Sequence, residues 1–160
     1  MIIVIMGVSG AGKTTVGRLL AEELGWKFYD ADDFHSAANK DKMSRGVPLT
    51  DEDRADWLAV LRSLLHQNIE ASQSIVWACS ALKQEYQDVL RVSKEVHFVY
   101  LQGTYQQIKA RLKERKDHYM KPEMLASQFA ILNEPNDALT INISKTPKEI
   151  VAVIRKEWNL

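Results

Sequence analysis

An apolar run, Ile2-Ile3-Val4-Ile5-Met6, passes directly into Gly7-Val8-Ser9-Gly10-Ala11-Gly12-Lys13-Thr14-Thr15, and this junction constrains the fold more than any other stretch. It reads G-x-x-x-x-G-K-[ST] with a β-branched strand ahead and a helix-period segment behind, the setting in which the pattern cradles phosphate. Glycines let the backbone wrap an anion closely, while amide N–H groups of the loop and the helix N-terminus point at it. Lys13 then supplies a point charge to the β- and γ-phosphates, and the Thr14 hydroxyl is placed to ligate Mg²⁺. Residues 7–15 are therefore the expected site for a nucleoside triphosphate.

Length and composition set the surroundings of that site. At 160 residues and 46 % apolar content, the chain suits a single domain, 1–160, with a substantial core. Twenty-one basic residues balance 21 acidic ones, without the basic excess that a nucleic-acid backbone selects. The lone cysteine, Cys79, leaves no internal disulfide and no multi-cysteine zinc site. The apolar start lacks a basic segment before it and runs into the phosphate loop, so it reads as a core strand and not a signal peptide. No later stretch has the length of a membrane span, and the expected location is the cytoplasm.

Strand and helix signals alternate along the rest of the chain. Val16, Leu19, Leu20 and Leu24 recur at helical spacing, with Gly25 at a helix C-terminus. Lys27-Phe28-Tyr29-Asp30 reads as a second strand, and the polar stretch 33–49 as an insertion turning at Gly46 and Pro48. Thr50 is an N-cap with acids in the turn after it, opening a helix through Trp57, Leu58, Leu61, Leu64 and Leu65 to about residue 70. Ile75-Val76-Trp77-Ala78-Cys79 is a central buried strand, followed by a helix over Leu82–Arg91 and a strand over Val96–Leu101. Thr104 opens a helix ending in a basic cluster, Met120–Leu132 is helical, and Ala138–Ile143 is the last strand. Thr146-Pro147-Lys148-Glu149 is a capping box that launches a final helix. The pattern predicts an α/β fold, a five-stranded parallel sheet in a three-layer α/β/α sandwich, with ligands at the carboxyl ends of the strands. Residues 33–49 and 115–122 read as mobile acceptor-side and lid segments.

Other phosphate-loop classes fit poorly. The third strand ends in Cys79-Ser80, without the acid of a motor ATPase. The guanine-reading N-K-x-D fails at Asn39-Lys40-Asp41-Lys42 and at Asn142-Ile143-Ser144-Lys145. A small phosphotransferase remains. Asp30 and Asp32, two apart, are expected on one side of an extended chain, one near the magnesium shell and one toward an acceptor hydroxyl whose proton it would take. Arg111 and Arg115, four apart, are expected to share a helix face and close onto ATP phosphates. Arg54 follows Asp51-Glu52-Asp53 and suits either a substrate carboxylate or those acids, and Lys83 has the same two readings.

At this point the residues match a known family. Phe28-Tyr29-Asp30-Ala31-Asp32-Asp33-Phe34-His35 resembles the segment after strand two in bacterial and animal gluconokinases. Asn39, Lys42-Met43, Gly46-Val47-Pro48-Leu49, Asp51, Asp53-Arg54 and Trp57-Leu58 continue in register. Cys79 to Lys83, Tyr86, Arg91, His118-Tyr119-Met120, Ser127-Gln128-Phe129 and Leu132-Asn133-Glu134-Pro135 extend the resemblance nearly end to end. It implies a P-loop kinase with a mobile lid that phosphorylates D-gluconate at its 6-hydroxyl, using ATP with Mg²⁺. Carried over by position, Lys13 and Thr14 hold phosphates and magnesium, Thr14 and Asp30 the metal, and Asp30 and Asp32 the acceptor end. Arg54 becomes the candidate for the gluconate carboxylate, with His35, Lys83 and His118 as further substrate neighbours. Family members are often dimers, so the resemblance implies a homodimer.

Three positions depart from the family pattern. Ser36 replaces a proline, which is expected to loosen the approach to the next helix. Asp56 replaces a proline that suits the same first turn. Asp117 replaces a glycine before His118 and adds negative charge to the lid. Within the same architecture, a shikimate-type kinase would carry a glycine triplet after strand three, where this chain has Ser80-Ala81-Leu82.

Overall fold

A computed structural model of the chain describes residues 1–115 and 121–160. Its strands are β1 (Ile2–Met6), β2 (Lys27–Asp30), β3 (Ile75–Ala78), β4 (Val96–Gln102) and β5 (Leu139–Asn142). Its helices are α1 (Lys13–Leu24), α2 (Ala37–Ser44), α3 (Asp51–Glu70), α4 (Gln84–Leu90), α5 (Tyr105–Glu114), α6 (Pro122–Ile131) and α7 (Pro147–Trp158). The strands form one parallel sheet in the order β2-β3-β1-β4-β5. Strand order reverses at β1, whose neighbours are β3 and β4, so the loop leaving β1 opens at the switch point where such sheets bind ligands.

Alternation along β1 divides the core into two layers. Ile3 and Ile5 pack with Val16 and Leu20 of α1 and Ile150 and Ile154 of α7. Ile2, Val4 and Met6 pack with Trp57, Leu61 and Leu65 of α3 and Leu90 of α4. Both faces of β1 are covered, which is why its sequence is continuously apolar rather than alternating. Each of its side chains contributes about 1.5–3 kcal/mol by burial, anchoring the strand from which the loop springs.

Caps fix the helix starts. Thr50, Thr104 and Thr146 each form a reciprocal capping box, with Asp53, Gln107 and Glu149. Gly25 takes the left-handed conformation at the end of α1 (φ 66°) that its place in the sequence predicts. The stretch 33–49 is more ordered than its polarity implies. A 3₁₀ turn spans Ala31–Phe34 and α2 follows, too short and too polar to show an apolar stripe. Nor does Ser36 loosen its start: the Ser36 hydroxyl accepts from the Asn39 N–H and caps α2. The remaining elements begin and end within two residues of their predicted limits, with α6 starting at Pro122. The expected lid, 115–122, lies largely outside the described residues, and His118 and Asp117 wholly so.

Candidate active site

Phosphate binding begins with what α1 lacks. The helices α2, α3, α5 and α7 begin behind a Ser or Thr N-cap whose side chain takes up a free N–H, but α1 has Gly12 as its N-cap, with no side-chain cap and no acid in its first turn. Its N-terminal donors and the positive end of its dipole are left for an anion. Gly12 holds φ 99° and Gly10 φ 85°, conformations that bend the loop back over these donors. At Gly10 a Cβ would also crowd Leu112, whose side chain lies 3.0 Å from where it would stand.

Lys13 folds over the loop, its Nζ donating to the Val8 carbonyl at 3.0 Å. Burial holds its pKa below the ordinary lysine value, against the raising influence of Asp32. Thr14 Oγ1 donates to Asp30 Oδ2 at 3.1 Å, which joins the two residues assigned to the metal in one hydrogen bond. The other Asp30 oxygen accepts the Asp32 N–H at 3.0 Å.

Asp30 and Asp32 differ from the expected arrangement. Asp30 ends β2 and caps the 3₁₀ turn, and Asp32 lies inside that turn, so the two do not alternate along an extended chain. The bend gives them different surroundings. Both oxygens of Asp30 are engaged, whereas Asp32 faces the cleft. The Asp32 side chain is 57 % exposed, yet it stands within a concavity. Desolvation by the surrounding walls raises its pKa, with Lys13 opposing and Asp30 reinforcing the shift. His35 follows the turn and stacks on Trp57, ring centroids 4.3 Å apart at 14°. Its Nδ1 meets the Asn39 side-chain amide at 3.3 Å, and burial with Arg54 nearby lowers its pKa to about 4. Trp57 in turn donates from Nε1 to the Ala31 carbonyl at 2.8 Å. One core tryptophan thus fixes both the start of the turn carrying Asp32 and the plane of His35.

The opposite wall is a network of charged side chains. Lys83 Nζ meets both Asp51 oxygens, at 2.7 and 2.9 Å, and the Tyr86 hydroxyl donates to the same carboxylate. Arg54 donates to the Tyr86 hydroxyl at 3.2 Å and lies 5.5 Å from its ring centre. Arg54 therefore does not pair with the acids beside it in sequence, and its remaining donors are available to the cleft. Lys42 binds Asp53 at 2.9 Å and the Asn39 amide donates to the Asp53 carbonyl at 2.7 Å, so α2 is fastened to the start of α3. Lys13, Asp32, His35, Arg54 and Lys83 line a single cleft of 410 Å³.

The arginines of α5 are brought to the loop, but not on one helix face. Arg111 donates to the Ala11 and Ile143 carbonyls, tying the loop to the end of β5. Arg115 is the residue at which α5 ends, in extended backbone, and borders an adjoining cavity of 660 Å³ with Ser9 and Gly10. Helical spacing could not reveal that α5 stops at Glu114. Four contributors escaped the sequence reading of roles: Asp51, Tyr86, Trp57 and Gln128, whose amide contacts Ser9. All four belong to the stretches that carry the gluconokinase resemblance, but nothing local distinguishes them from helix-surface or core residues.

The chain is similar to known small kinases over most of its length. The family model for shikimate kinase matches residues 9–157. A thermosensitive gluconokinase from Escherichia coli is 45 % identical over an alignment covering 82 % of this chain and 71 % of its own. A probable gluconokinase from Mus musculus is 42 % identical, with 96 % and 95 % covered. The crystal structure of a gluconokinase from Sinorhizobium meliloti superposes with a TM-score of 0.84 at 34 % identity, covering 98 % of this chain and 94 % of that one.

Proposed function

The chain belongs to the gluconokinase family of ATP-dependent kinases, and from that premise we propose how its residues carry out the reaction. The reaction moves the γ-phosphoryl group of ATP to the 6-hydroxyl of D-gluconate, giving 6-phospho-D-gluconate and ADP. The observation that carries this reading is the single cleft with the phosphate-loop lysine and Asp32 on one wall and the cations Arg54 and Lys83 on the other.

The uncapped start of α1 and the loop amides receive the phosphates, and Lys13 leaves the Val8 carbonyl to bridge the β- and γ-groups. Thr14 and Asp30 offer a hydroxyl and a carboxylate oxygen at one point, hard ligands suited to Mg²⁺. Among the described residues no group of three or more His, Cys, Asp or Glu could hold a metal, which fits an ion bound mainly through phosphates and water. Bound there, Mg²⁺ would neutralise charge on the β- and γ-phosphates.

Asp32 is the base of the pair, because its oxygens are not engaged by the loop and its raised pKa suits it to take the 6-hydroxyl proton. Arg54 takes the gluconate carboxylate with the donors that Tyr86 leaves free, and His35 and Lys83 border the polyol chain. Arg111 holds the loop in shape, and Arg115 is carried toward the nucleotide. His118, which the family resemblance assigns to the acceptor, lies outside the described residues. We place the enzyme in the cytoplasm, as a homodimer; no helix among the described residues is long and apolar enough to cross a membrane.

The test is product analysis. Gluconate incubated with Mg-ATP and the enzyme should give a phosphomonoester whose ³¹P signal couples to the two C6 protons. A phosphate on any other carbon, or none, contradicts the proposed alignment.

A further inference from the structure

One contact links the segment beyond the lid to the apex of the phosphate loop. The Ser9 backbone N–H donates to Gln128 Oε1 at 2.8 Å, and Gln128 Nε2 lies 3.0 Å from Ser9 Oγ. The first bond settles the direction of the second. A backbone N–H can only donate, so the amide oxygen must face it, and the –NH₂ end then donates to the serine oxygen. Gln128 offers the Ser9 hydroxyl no acceptor for its own proton. Among the described residues that hydroxyl donates to no protein acceptor, and Ser9 lines the cleft beside Lys13. The amide itself is held firmly: Leu125, one turn earlier on α6, is buried, and Phe129 packs edge-on against Tyr105 at 5.7 Å.

We propose that Gln128 orients the Ser9 hydroxyl as a hydrogen-bond donor to the phosphoryl group in transfer. Ser9 then acts on the reacting group, and Gln128 is a positioning residue acting through it. The inference rests on the kinase reading given above. A donor fixed in advance on developing charge stabilises the transition state without reorganising during the step.

Five variants test it by steady-state kinetics with Mg-ATP and gluconate, each accompanied by a thermal melt. Ser9→Ala and Gln128→Ala should each lower kcat about tenfold, with the KM for ATP changed by less than about threefold. The double variant should be no slower than Ser9→Ala, because both changes remove one donor. Gln128→Glu separates orientation from tethering. Its carboxylate still accepts the Ser9 N–H but also accepts the Ser9 O–H, turning that proton away from the cleft. It should therefore be as slow as Ser9→Ala. In a Ser9→Ala background the Glu substitution should cost no more than Ala, which separates the effect from charge repulsion. Gln128→Glu at the unaltered rate, additive losses in the double variant, or a kcat loss that follows a lowered Tm would overturn the proposal. Ser9→Ala removes only one hydroxyl, so it keeps the test open if Gln128→Ala fails to fold. Turnover of gluconate by the unaltered chain separately tests the kinase reading; with another acceptor, the same ratios between variants are read on that acceptor.

Discussion

The two walls of the cleft are built by different means. The proposed nucleotide wall is contiguous in sequence and made largely of backbone: loop amides, three glycines at positive φ and the uncapped start of α1, with Lys13 and Thr14 added. The acceptor wall is assembled from side chains far apart in the chain, where Arg54, Asp51, Lys83 and Tyr86 hold one another across 32 residues or more. A backbone site binds whatever carries the right phosphates and tolerates little variation in geometry. A side-chain network can be retuned one residue at a time, so on the proposed reading selectivity for the acceptor belongs there. The contrast accounts for one phosphate loop serving kinases with different acceptors.

If that division is right, damage to the nucleotide wall should stop chemistry outright, and damage to the acceptor wall should redirect it. Lys13→Ala should lower kcat/KM by about a thousandfold or more while leaving Tm within about 3 °C, since the only hydrogen bond of its side chain among the described residues is to the Val8 carbonyl. Full activity in that variant would break the comparison at its firmest point. Arg54→Ala should raise the KM for gluconate by about 10- to 100-fold and that for ATP by no more than about twofold. Equal effects on both would return Arg54 to a structural role.

A smaller change should sharpen the account. Asp51→Asn removes the charge that neutralises Lys83 and leaves a second free cation near Arg54. Relative kcat/KM should shift by about threefold from gluconate toward a dicarboxylic aldaric acid, measured by direct competition. An unchanged ratio would show that the network does not set charge selectivity.

The smallest effect concerns stability and pH. His35 has a pKa of about 4 in the folded chain against an ordinary value of 6.5. Between these values the unfolded chain binds a proton that the folded chain does not, so this contribution to stability is complete above about pH 6.5 and is lost as pH falls through 4. Urea unfolding between pH 7 and 4 should show a shallower decline in His35→Gln than in the unaltered chain. Matching slopes would mean that His35 is not held neutral by Trp57 and the surrounding charges.

The same contrast explains what could be read from the chain in advance. The loop, its strand and its helix form one continuous pattern, so residues 7–15 were legible, as were Gly25 and the Thr50 and Thr146 caps. The five parallel strands and the helices on both faces follow from the alternation of apolar runs, whereas the spatial order of the strands was not read from the sequence. Asp30 and Asp32 were found as residues but not in their geometry, because the 3₁₀ turn is fixed by an Asp30 side-chain bond and by Trp57, 25 residues beyond Asp32. Ser36 could be seen as a departure, yet its capping role needs the start of α2, which no apolar stripe announces. The charged pairing of Asp51 with Lys83 has no periodicity at all, and the sequence offered those acids only as one of two partners for Lys83.

The most direct measurement is acceptor-dependent ADP release with Mg-ATP, comparing D-gluconate, other aldonic acids, shikimate, AMP and no acceptor. The account predicts turnover that strongly prefers gluconate, with shikimate near the no-acceptor background even though the shikimate kinase family model spans most of the chain. Turnover of shikimate equal to that of gluconate, or none with either while ATP still binds, would contradict it.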